Sequence, residues 1–396
     1  MGTDVGVAYS IIRNPAEAGK EAAQKALERA GITTPDLVLV FATIGYNQQL
    51  LIQAIREATS GAPLSGCSGE GIITQETVNE SNFCVSVMVI RSDELRFHNS
   101  FAKDLSRGAG IAGEQLAQEL VPQLAADSIA CILFPDGLNF DFDPFLTTFE
   151  KTLSLQTPLP LLGGFAADNC TSLKTFQYFN DDVLSDAVAC VVISGKGNIA
   201  CGISHGCMPV GAKRTITRSK GNIIYEIDGM PALEALGDYF EDGWKSKWNR
   251  TSLNLCLGFE SPGHIRQEYG NFIIRYMMGK DDHDGSVRIQ SDVQNGTGFW
   301  IVRRDKELIC TGMQTLSRQI KSQLGGRKPK FMLHFDCVGR GKVVFREQEK
   351  IELIKSIQND IGADTPWLGF YTYGEIGPLS GLNCSHNFTA VLAAIF

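Results

Sequence analysis

The sequence lacks the features of several broad protein classes. No apolar run approaches the roughly 18 residues of a membrane-spanning helix, and the N-terminus has no basic stretch followed by a long apolar region. The net charge of −8 disfavours nucleic acid and anionic membranes as partners, because both require clustered Lys and Arg. The eleven cysteines include no CxxC pair, and most lie in apolar runs. A cytoplasmic protein with reduced core thiols and no metal site is therefore predicted.

A glycine-centred phrase recurs along the chain. It reads PLSGCSGE at Pro63–Glu70, PLLGGFAAD at Pro160–Asp168 and PWLGFYTYGE at Pro366–Glu375, with a weaker copy, LCLGFE, at Leu255–Glu260. Each strong copy follows a strand-like run and a helix-like run, and another apolar run comes after it. The spacing of about 100 residues exceeds that of solenoid repeats. The sequence therefore predicts four pseudo-repeats, each built from strands and helices.

Alternating strands and helices indicate an α/β fold with mixed sheets flanked by helices. Strands separated by helices favour parallel neighbours, and a closing strand reached through a short loop favours antiparallel pairing. The polar stretch KRTITRSKGNIIYEIDG predicts a domain boundary near residue 226, which gives domains 1–225 and 226–396.

Polar residues at the phrase are candidates for a binding site. Glu70, Asp168 and Glu375 each follow the glycine bend, and Cys67 and Ser68 lie within the first copy. Ligands of α/β proteins bind at strand ends, where these bends are expected. We therefore predict that these five residues line a small-molecule site, although a glycine bend that serves the fold alone is an equally good explanation.

Arg340, Tyr371 and Tyr373 are further candidates in the C-terminal part. Arg340 lies in a glycine-flanked loop after the strand-like FMLHF, where its guanidinium would hold a ligand carboxylate or form an ion pair with Asp336 or Glu375. Tyr371 and Tyr373 alternate with Glu375, so a strand would place all three on one face. Plain core packing is the alternative for the tyrosines.

Taken together, these motifs resemble the FIST family (F-box and intracellular signal transduction). The similarity rests on DLVLVFATIGYN, PLSGCSGEGI, FPDGL and PLLGGFAAD in the first part, and on GMPALEAL, FDCVGRG, GFYTYGEIGP and HNFT in the second. It covers nearly the whole chain and implies a FIST N-like domain over 1–225 and a FIST C-like domain over 226–396. It also implies a cytoplasmic sensory protein that binds a small molecule, with amino acids suggested, and signals to a partner such as a histidine kinase or cyclase. No catalysis of its own is expected.

Two other functions stay open at this point. Some family members resemble haem-binding nitric-oxide sensors that regulate a histidine kinase, and His205, His334 and His386 are the candidate axial ligands here. A cysteine-dependent hydrolase would use Cys67 or Cys337 as its nucleophile, although the sequence offers no complete triad.

Overall fold

The computed structural model describes residues 2–156, 158–240, 243–248 and 252–396. The chain forms two compact units. The first comprises Met1–Ile203, Met313–Ser385 and Thr389–Phe396, and the second comprises Ser204–Gly312 and His386–Phe388. Most of the second unit is thus one segment inserted into the first. The boundary near residue 226 stays a prediction about sequence domains.

The first unit uses one order of elements three times. A strand and a helix precede a second strand and helix, and a third strand, a short hairpin and a closing strand follow. The first repeat comprises β1 (Thr3–Ser10), α1 (Pro15–Ala30), β2 (Leu37–Ala42), α2 (Gln48–Ala58), β3 (Leu64–Ser68), β4 (Ile72–Thr74), β5 (Val78–Asn79) and β6 (Val85–Ser92). The second repeat comprises β7 (Leu95–Lys103), α3 (Ala109–Leu120), β8 (Ser128–Pro135), α4 (Phe142–Leu153), β9 (Leu161–Gly164), β10 (Gln177–Phe179), β11 (Asp182–Leu184) and β12 (Ala187–Gly195).

The third repeat is interrupted after its first strand, β13 (Ile199–Ser204), by the inserted segment. The described elements of this segment are β14 (Cys207–Lys220), β15 (Ile223–Ile227), β16 (Met230–Pro231), α5 (Ala232–Gly237), β17 (Leu255–Glu260), α6 (Arg266–Tyr269), β18 (Phe272–Arg275), β19 (Met277–Asp281), β20 (Ser286–Ile289) and β21 (Gly298–Arg304). Their sheet has the order β18-β17-β21-β14-β15-β20-β19, with β16 beside β15.

The weak fourth copy of the phrase has a different setting from the other three. It forms β17, which pairs antiparallel with both β18 and β21. In the strong copies the phrase strand pairs with a parallel neighbour. Gly258 therefore does not head a fourth repeat of the same topology, and the described residues form three such repeats plus an antiparallel insertion.

The third repeat resumes after the insertion. Its remaining elements are α7 (Lys306–Leu324), β22 (Phe331–Cys337), α8 (Glu347–Ile361), β23 (Trp367–Thr372), β24 (Glu375–Leu379), β25 (Leu382–His386) and β26 (Ala390–Ile395). Short 3₁₀ turns cover Leu105–Arg107, Val121–Gln123, Trp244–Lys247 and Val338–Arg340. No described helix combines the length and the hydrophobicity needed to cross a membrane.

The three repeats exchange their hairpins. The sheet orders are β1-β6-β2-β3-β10-β11, β7-β12-β8-β9-β24-β25 and β13-β26-β22-β23-β4-β5. The hairpin of the first repeat thus extends the sheet of the third, that of the second extends the first sheet, and that of the third extends the second. Within each repeat, the second strand pairs in parallel with the third, which carries the phrase. The phrase strand pairs antiparallel with the hairpin from another repeat. The predicted mixed sheets with flanking helices are confirmed.

Local signals position the first helix, α1. The Asn14 side chain accepts hydrogen bonds from the N–H groups of Ala16 and Glu17, and Pro15 starts α1. Gly31 ends the same helix with a left-handed φ of 65°, which glycine adopts without steric cost.

The phrase glycine has the same role in all three repeats. A Cβ at Gly66, Gly163 or Gly369 would lie within 1.9, 2.0 or 2.1 Å of a backbone oxygen on the neighbouring parallel strand. Gly66 and Gly163 also have φ values of 149° and 148°, which disfavour other residues. The glycines therefore allow close strand pairing inside a buried sheet. This supports the structural explanation of the recurring bend.

Three phenylalanines join the three repeats. Phe41, Phe134 and Phe335 each follow the residue that pairs with the phrase glycine, and all three are fully buried. The ring centroids of Phe41 and Phe134 are 5.3 Å apart, and those of Phe134 and Phe335 are 6.4 Å apart. Phe370 closes the group, with centroid distances of 4.3 Å to Phe41 and 5.8 Å to Phe335. Aromatic packing thus fills the region where the three sheets meet.

Removing one of these rings is expected to destabilise the first unit strongly. Phe335→Ala should lower the free energy of unfolding by about 3–5 kcal/mol, because it leaves a cavity among rigid neighbours. The half-buried Phe101, on β7, is the matched control, and Phe101→Ala should cost on the order of 1 kcal/mol. Urea denaturation measures both variants, and equal losses would contradict a special role for the shared aromatic group.

Candidate functional site

The ends of the three phrase strands bring together Glu70, Asp168 and Tyr373, which we call the acid–tyrosine cluster. Tyr373 Oη lies 2.8 Å from Glu70 Oε1 and 2.7 Å from Asp168 Oδ1. The backbone N–H of Cys170 donates to Glu70 Oε1 at 2.5 Å and to Tyr373 Oη at 2.8 Å. Each repeat supplies one of the three side chains, so the cluster exists only when all three repeats are assembled.

Asp168 also holds the loop that carries Cys170. Its Oδ2 accepts hydrogen bonds from the N–H of Leu173 at 2.6 Å and from Thr171 Oγ1 at 2.7 Å. Three residues of this loop, Asn169, Cys170 and Ser172, have φ values of 56°, 55° and 54°. Such left-handed conformations are uncommon for residues other than glycine. The Asp168 carboxylate therefore fixes an unfavourable loop conformation at the edge of the cluster, where Cys170 is exposed.

The two acids of the cluster differ in their affinity for a proton. Burial raises the pKa of Glu70, and the hydrogen bonds from Tyr373 and Cys170 offset this only in part. Burial also raises the pKa of Asp168, but hydrogen bonds from Tyr373, Thr171 and backbone amides outweigh it and lower the value overall. The phenol proton can be donated to only one carboxylate at a time. The directions of the two pKa shifts make Asp168 the acid that stays ionised to lower pH, and so the stronger acceptor for the Tyr373 hydroxyl.

Arg340 lies in a second group, the buried ion cluster of Asp336, Arg340 and Lys350. Asp336 Oδ1 accepts from Arg340 Nε and Oδ2 accepts from Lys350 Nζ, both at 2.7 Å. The Arg340 and Asp336 side chains are fully buried, and that of Lys350 is 2% exposed. Burial alone would raise the pKa of Asp336. The two cations have the larger combined effect, and they hold the pKa well below its ordinary value. Of the partners considered for Arg340, the structure shows Asp336.

Tyr371 and Glu375 do not join Tyr373. Tyr371 is fully buried, and Lys350 Nζ lies 5.6 Å from the centroid of its ring. Glu375 is also fully buried; Thr389 donates to its Oε2 from the hydroxyl at 2.6 Å and from the N–H at 3.1 Å, and Thr372 donates to Oε1. Burial, only partly offset by these bonds, raises the pKa of Glu375 to about 8. The alternating residues thus belong to three separate environments.

Cys67 and Ser68 lie inside β3 and are fully buried. The Ser68 hydroxyl donates to the Ala167 carbonyl at 2.7 Å and accepts from the Phe176 N–H at 3.0 Å. Burial raises the pKa of the Cys67 thiol well above its ordinary value. Both properties are the opposite of what an accessible nucleophile requires.

The three candidate histidines lie at two places. His334 is fully buried, with Nε2 3.6 Å from Asp336 and Nδ1 3.4 Å from Trp367 Nε1. In the second unit, the rings of His205 and His386 lie on Tyr269, with centroid distances of 5.3 and 5.4 Å. His334 is thus enclosed by its neighbours, while His205 and His386 come together around one tyrosine. Haem ligation by any of them stays a prediction.

Two residues beside these clusters, Glu80 and Lys342, were not predicted from the sequence as site residues. Glu80 follows the β4–β5 hairpin, and its Oε1 accepts from the Lys342 N–H at 2.7 Å. Burial raises the pKa values of both Glu70 and Glu80, and the charge of the exposed Lys342 side chain offsets this in part. Lys342 therefore electrostatically connects the acid–tyrosine cluster with Glu80. Neither residue belongs to the recurring phrase, so only their charge in a glycine-containing loop was visible beforehand.

Two family models match this chain, the FIST N domain over residues 36–230 and the FIST C domain over residues 232–378. The chain belongs to the FIST family. Full-length similarity links this FIST protein to an uncharacterized protein of Mycobacterium tuberculosis, with 27% identity over 396 residues and 98% coverage of both chains. An uncharacterized protein of Methanocaldococcus jannaschii is 22% identical over 394 residues, covering 93% of this chain and 74% of the relative. The FIST resemblance of the motifs is thus confirmed.

Solved structures show only a weak likeness to this FIST protein. A chorismatase crystal structure aligns with a TM-score of 0.38 and 8% identity, covering 100% of this chain and 99% of the other. A cyanuric acid hydrolase aligns with a TM-score of 0.34 and 10% identity, with the same coverage. Neither likeness is strong enough to carry an activity over to the FIST chain.

The buried Glu375 is expected to make stability depend on pH. Its pKa is about 8 in the folded FIST protein against an ordinary 4.5, so folding favours the neutral acid. The free energy of unfolding should therefore fall as pH rises from about 5 to about 8, by on the order of a few kcal/mol from this group. Glu375→Gln should make the profile less steep over this window, as measured by urea denaturation at each pH, while the slope from Glu80, whose pKa burial raises to about 7, remains. Glu119→Gln, on an exposed face of α3, should keep the wild-type slope, and unchanged slopes in both variants would contradict the assignment.

Proposed function

We propose that this protein is a cytoplasmic sensory protein that binds a small zwitterion, such as an amino acid, at the acid–tyrosine cluster. The observation that carries the proposal is the meeting of Glu70, Asp168 and Tyr373 at one hydroxyl oxygen, one from each repeat. Ligands of α/β proteins bind at the ends of parallel strands, and these three residues follow such strands. Membership of the FIST family supports a sensory role.

The charges around the cluster favour a ligand with both signs of charge. Tyr373 Oη and the Cys170 N–H both donate to Glu70 Oε1, which leaves Oε2 as the oxygen that would accept from a ligand ammonium group. The Lys342 ammonium acts on the same carboxylate and offers a partner for a ligand carboxylate. A cation and an acid that act on each other match the two ends of an amino acid.

Signalling would proceed through the loop that Asp168 holds. Its three left-handed residues make the loop conformation costly, so a ligand that replaces one of its hydrogen bonds shifts the balance between two loop arrangements. A partner such as a histidine kinase or cyclase would detect that change.

The proposal predicts that substitutions in the cluster abolish ligand binding without unfolding the protein. A thermal-shift screen of the twenty amino acids, small organic acids and haem identifies the ligand. Glu70→Gln should then weaken its binding about 10- to 100-fold, because it removes a charge-assisted hydrogen bond worth about 1.5–3 kcal/mol. Tyr373→Phe should also weaken binding, because it removes the hydroxyl that holds Glu70 and Asp168 in place. Glu119→Gln should bind as wild type does. A well-folded protein that no amino acid or organic acid stabilises would overturn the proposal.

Two further measurements test the alternative functions. Haem uptake with a Soret band that is lost in His205→Ala or His386→Ala would favour haem sensing. A hydrolase that used Cys67 would need its buried thiol to become accessible, so slow thiol labelling of the native protein would count against that hypothesis.

A further inference from the structure

The Glu80 carboxylate occupies a cradle made by the backbone of Gly341 and Lys342. Its Oε1 accepts from the Lys342 N–H at 2.7 Å. A Cβ at Gly341 would lie 2.5 Å from each Glu80 oxygen, so only glycine leaves room for an anion to approach the backbone so closely. Glu80 comes from the first repeat, while the cradle belongs to the third.

Positive charge surrounds this cradle. Lys350 Nζ is buried and shares the Asp336 carboxylate with Arg340, while Lys342 lies directly at the cradle. The charges of Lys342 and Lys350 both act on Glu80, and so does the opposing charge of Asp336. Buried cations require anions close by. Asp336 supplies one, and Glu80 supplies the second.

Glu80 satisfies the cradle with only one of its oxygens. Its Oε2 is buried and has no hydrogen-bond partner among the described residues, and the same holds for Tyr371 Oη nearby. Tyr371 is fully buried, and the charge of Glu80 raises the pKa of its hydroxyl. Unsatisfied polar atoms of this kind are rare and costly. They indicate a place where another polar group belongs.

We propose that Glu80 occupies the place of the ligand carboxylate. When the ligand binds, its carboxylate displaces Glu80 from the Gly341–Lys342 cradle and accepts a hydrogen bond from the Tyr371 hydroxyl. This inference rests on the proposed function and deepens it, because it assigns the acidic end of the ligand to one site. An unattached carboxylate can place both oxygens where donors exist, whereas Glu80 is constrained by its own backbone. Glu80 thereby competes with the ligand and sets the concentration at which the protein responds.

The test uses acetate as the probe, because it carries a carboxylate and nothing else. Glu80→Gln keeps the volume and an acceptor for the Lys342 N–H but removes the competing charge. The acetate dissociation constant, from thermal shift and calorimetry at constant ionic strength, should fall at least about tenfold in this variant. Glu76→Gln is the matched control, since Glu76 is an exposed acid on the same hairpin and pairs with Arg29. It should bind acetate as wild type does.

A second variant ties the effect to the cradle. Adding Gly341→Ala to Glu80→Gln fills the space with a methyl group and should abolish the gained acetate affinity. Should Glu80→Gln fail to fold, the wild-type protein supplies the test. Burial raises the pKa of Glu80 to about 7, so lowering the pH from about 8 to about 6 should tighten acetate binding. Lys342, Lys350, Asp336 and Tyr371 face the same group.

Each outcome bears on the inference. Unchanged acetate affinity in Glu80→Gln, or affinity that survives Gly341→Ala, would overturn it and leave an ordered water as the occupant. The proposed function can fail separately. If no amino acid binds but Glu80→Gln gains acetate affinity, the result supports a carboxylate site at the cradle and contradicts an ammonium site at the acid–tyrosine cluster. If amino acids bind and Glu80→Gln gains nothing, the cradle alone is excluded.

Discussion

The exchange of hairpins among three repeats is the constraint on which the first unit depends. Each sheet ends in a two-stranded hairpin that belongs to a different repeat, so no repeat completes its sheet alone. Exchange also covers the exposed edge of each phrase strand, which would otherwise invite aggregation. Because the exchange is cyclic, the inner faces of the sheets converge, and Phe41, Phe134 and Phe335 fill the space between them.

This closed arrangement also explains where the polar chemistry lies. The phrase strands run in equivalent directions, so their ends approach one another, and Glu70, Asp168 and Tyr373 share hydrogen bonds there. Behind them, Asp336 is buried between two cations. Water is excluded from such a site, so each lost partner costs far more than on the surface. The charge of Lys342 acts on Glu70 in the first cluster, and the charge of Glu80 acts on Lys350 in the second.

Parts of this architecture were visible in the sequence. The glycine phrase marked the strands that carry the site, and the acids after it, Glu70 and Asp168, do meet. The weak copy at Gly258 had the right letters but lies in an antiparallel sheet, since a short apolar phrase does not specify its partner strand. Lys350 was not among the residues predicted from the sequence. Its burial is decided by Asp336, fourteen positions away and on another element.

Hydrophobic periodicity, helix caps and glycine positions are local properties, and by themselves they determined the strands, the helices and the α/β class of this protein. Partner choice is not local. Only the tertiary structure decided which hairpin extends which sheet and that Arg340 contacts Asp336. It also decided that Tyr373 contacts acids from two other repeats, apart from Tyr371 and Glu375. The physical reason is that the contacts of the acid–tyrosine cluster link residues one hundred to three hundred positions apart. Even the Asp336–Arg340 pair, which is four positions apart, gains its energy only once burial has removed water from around it.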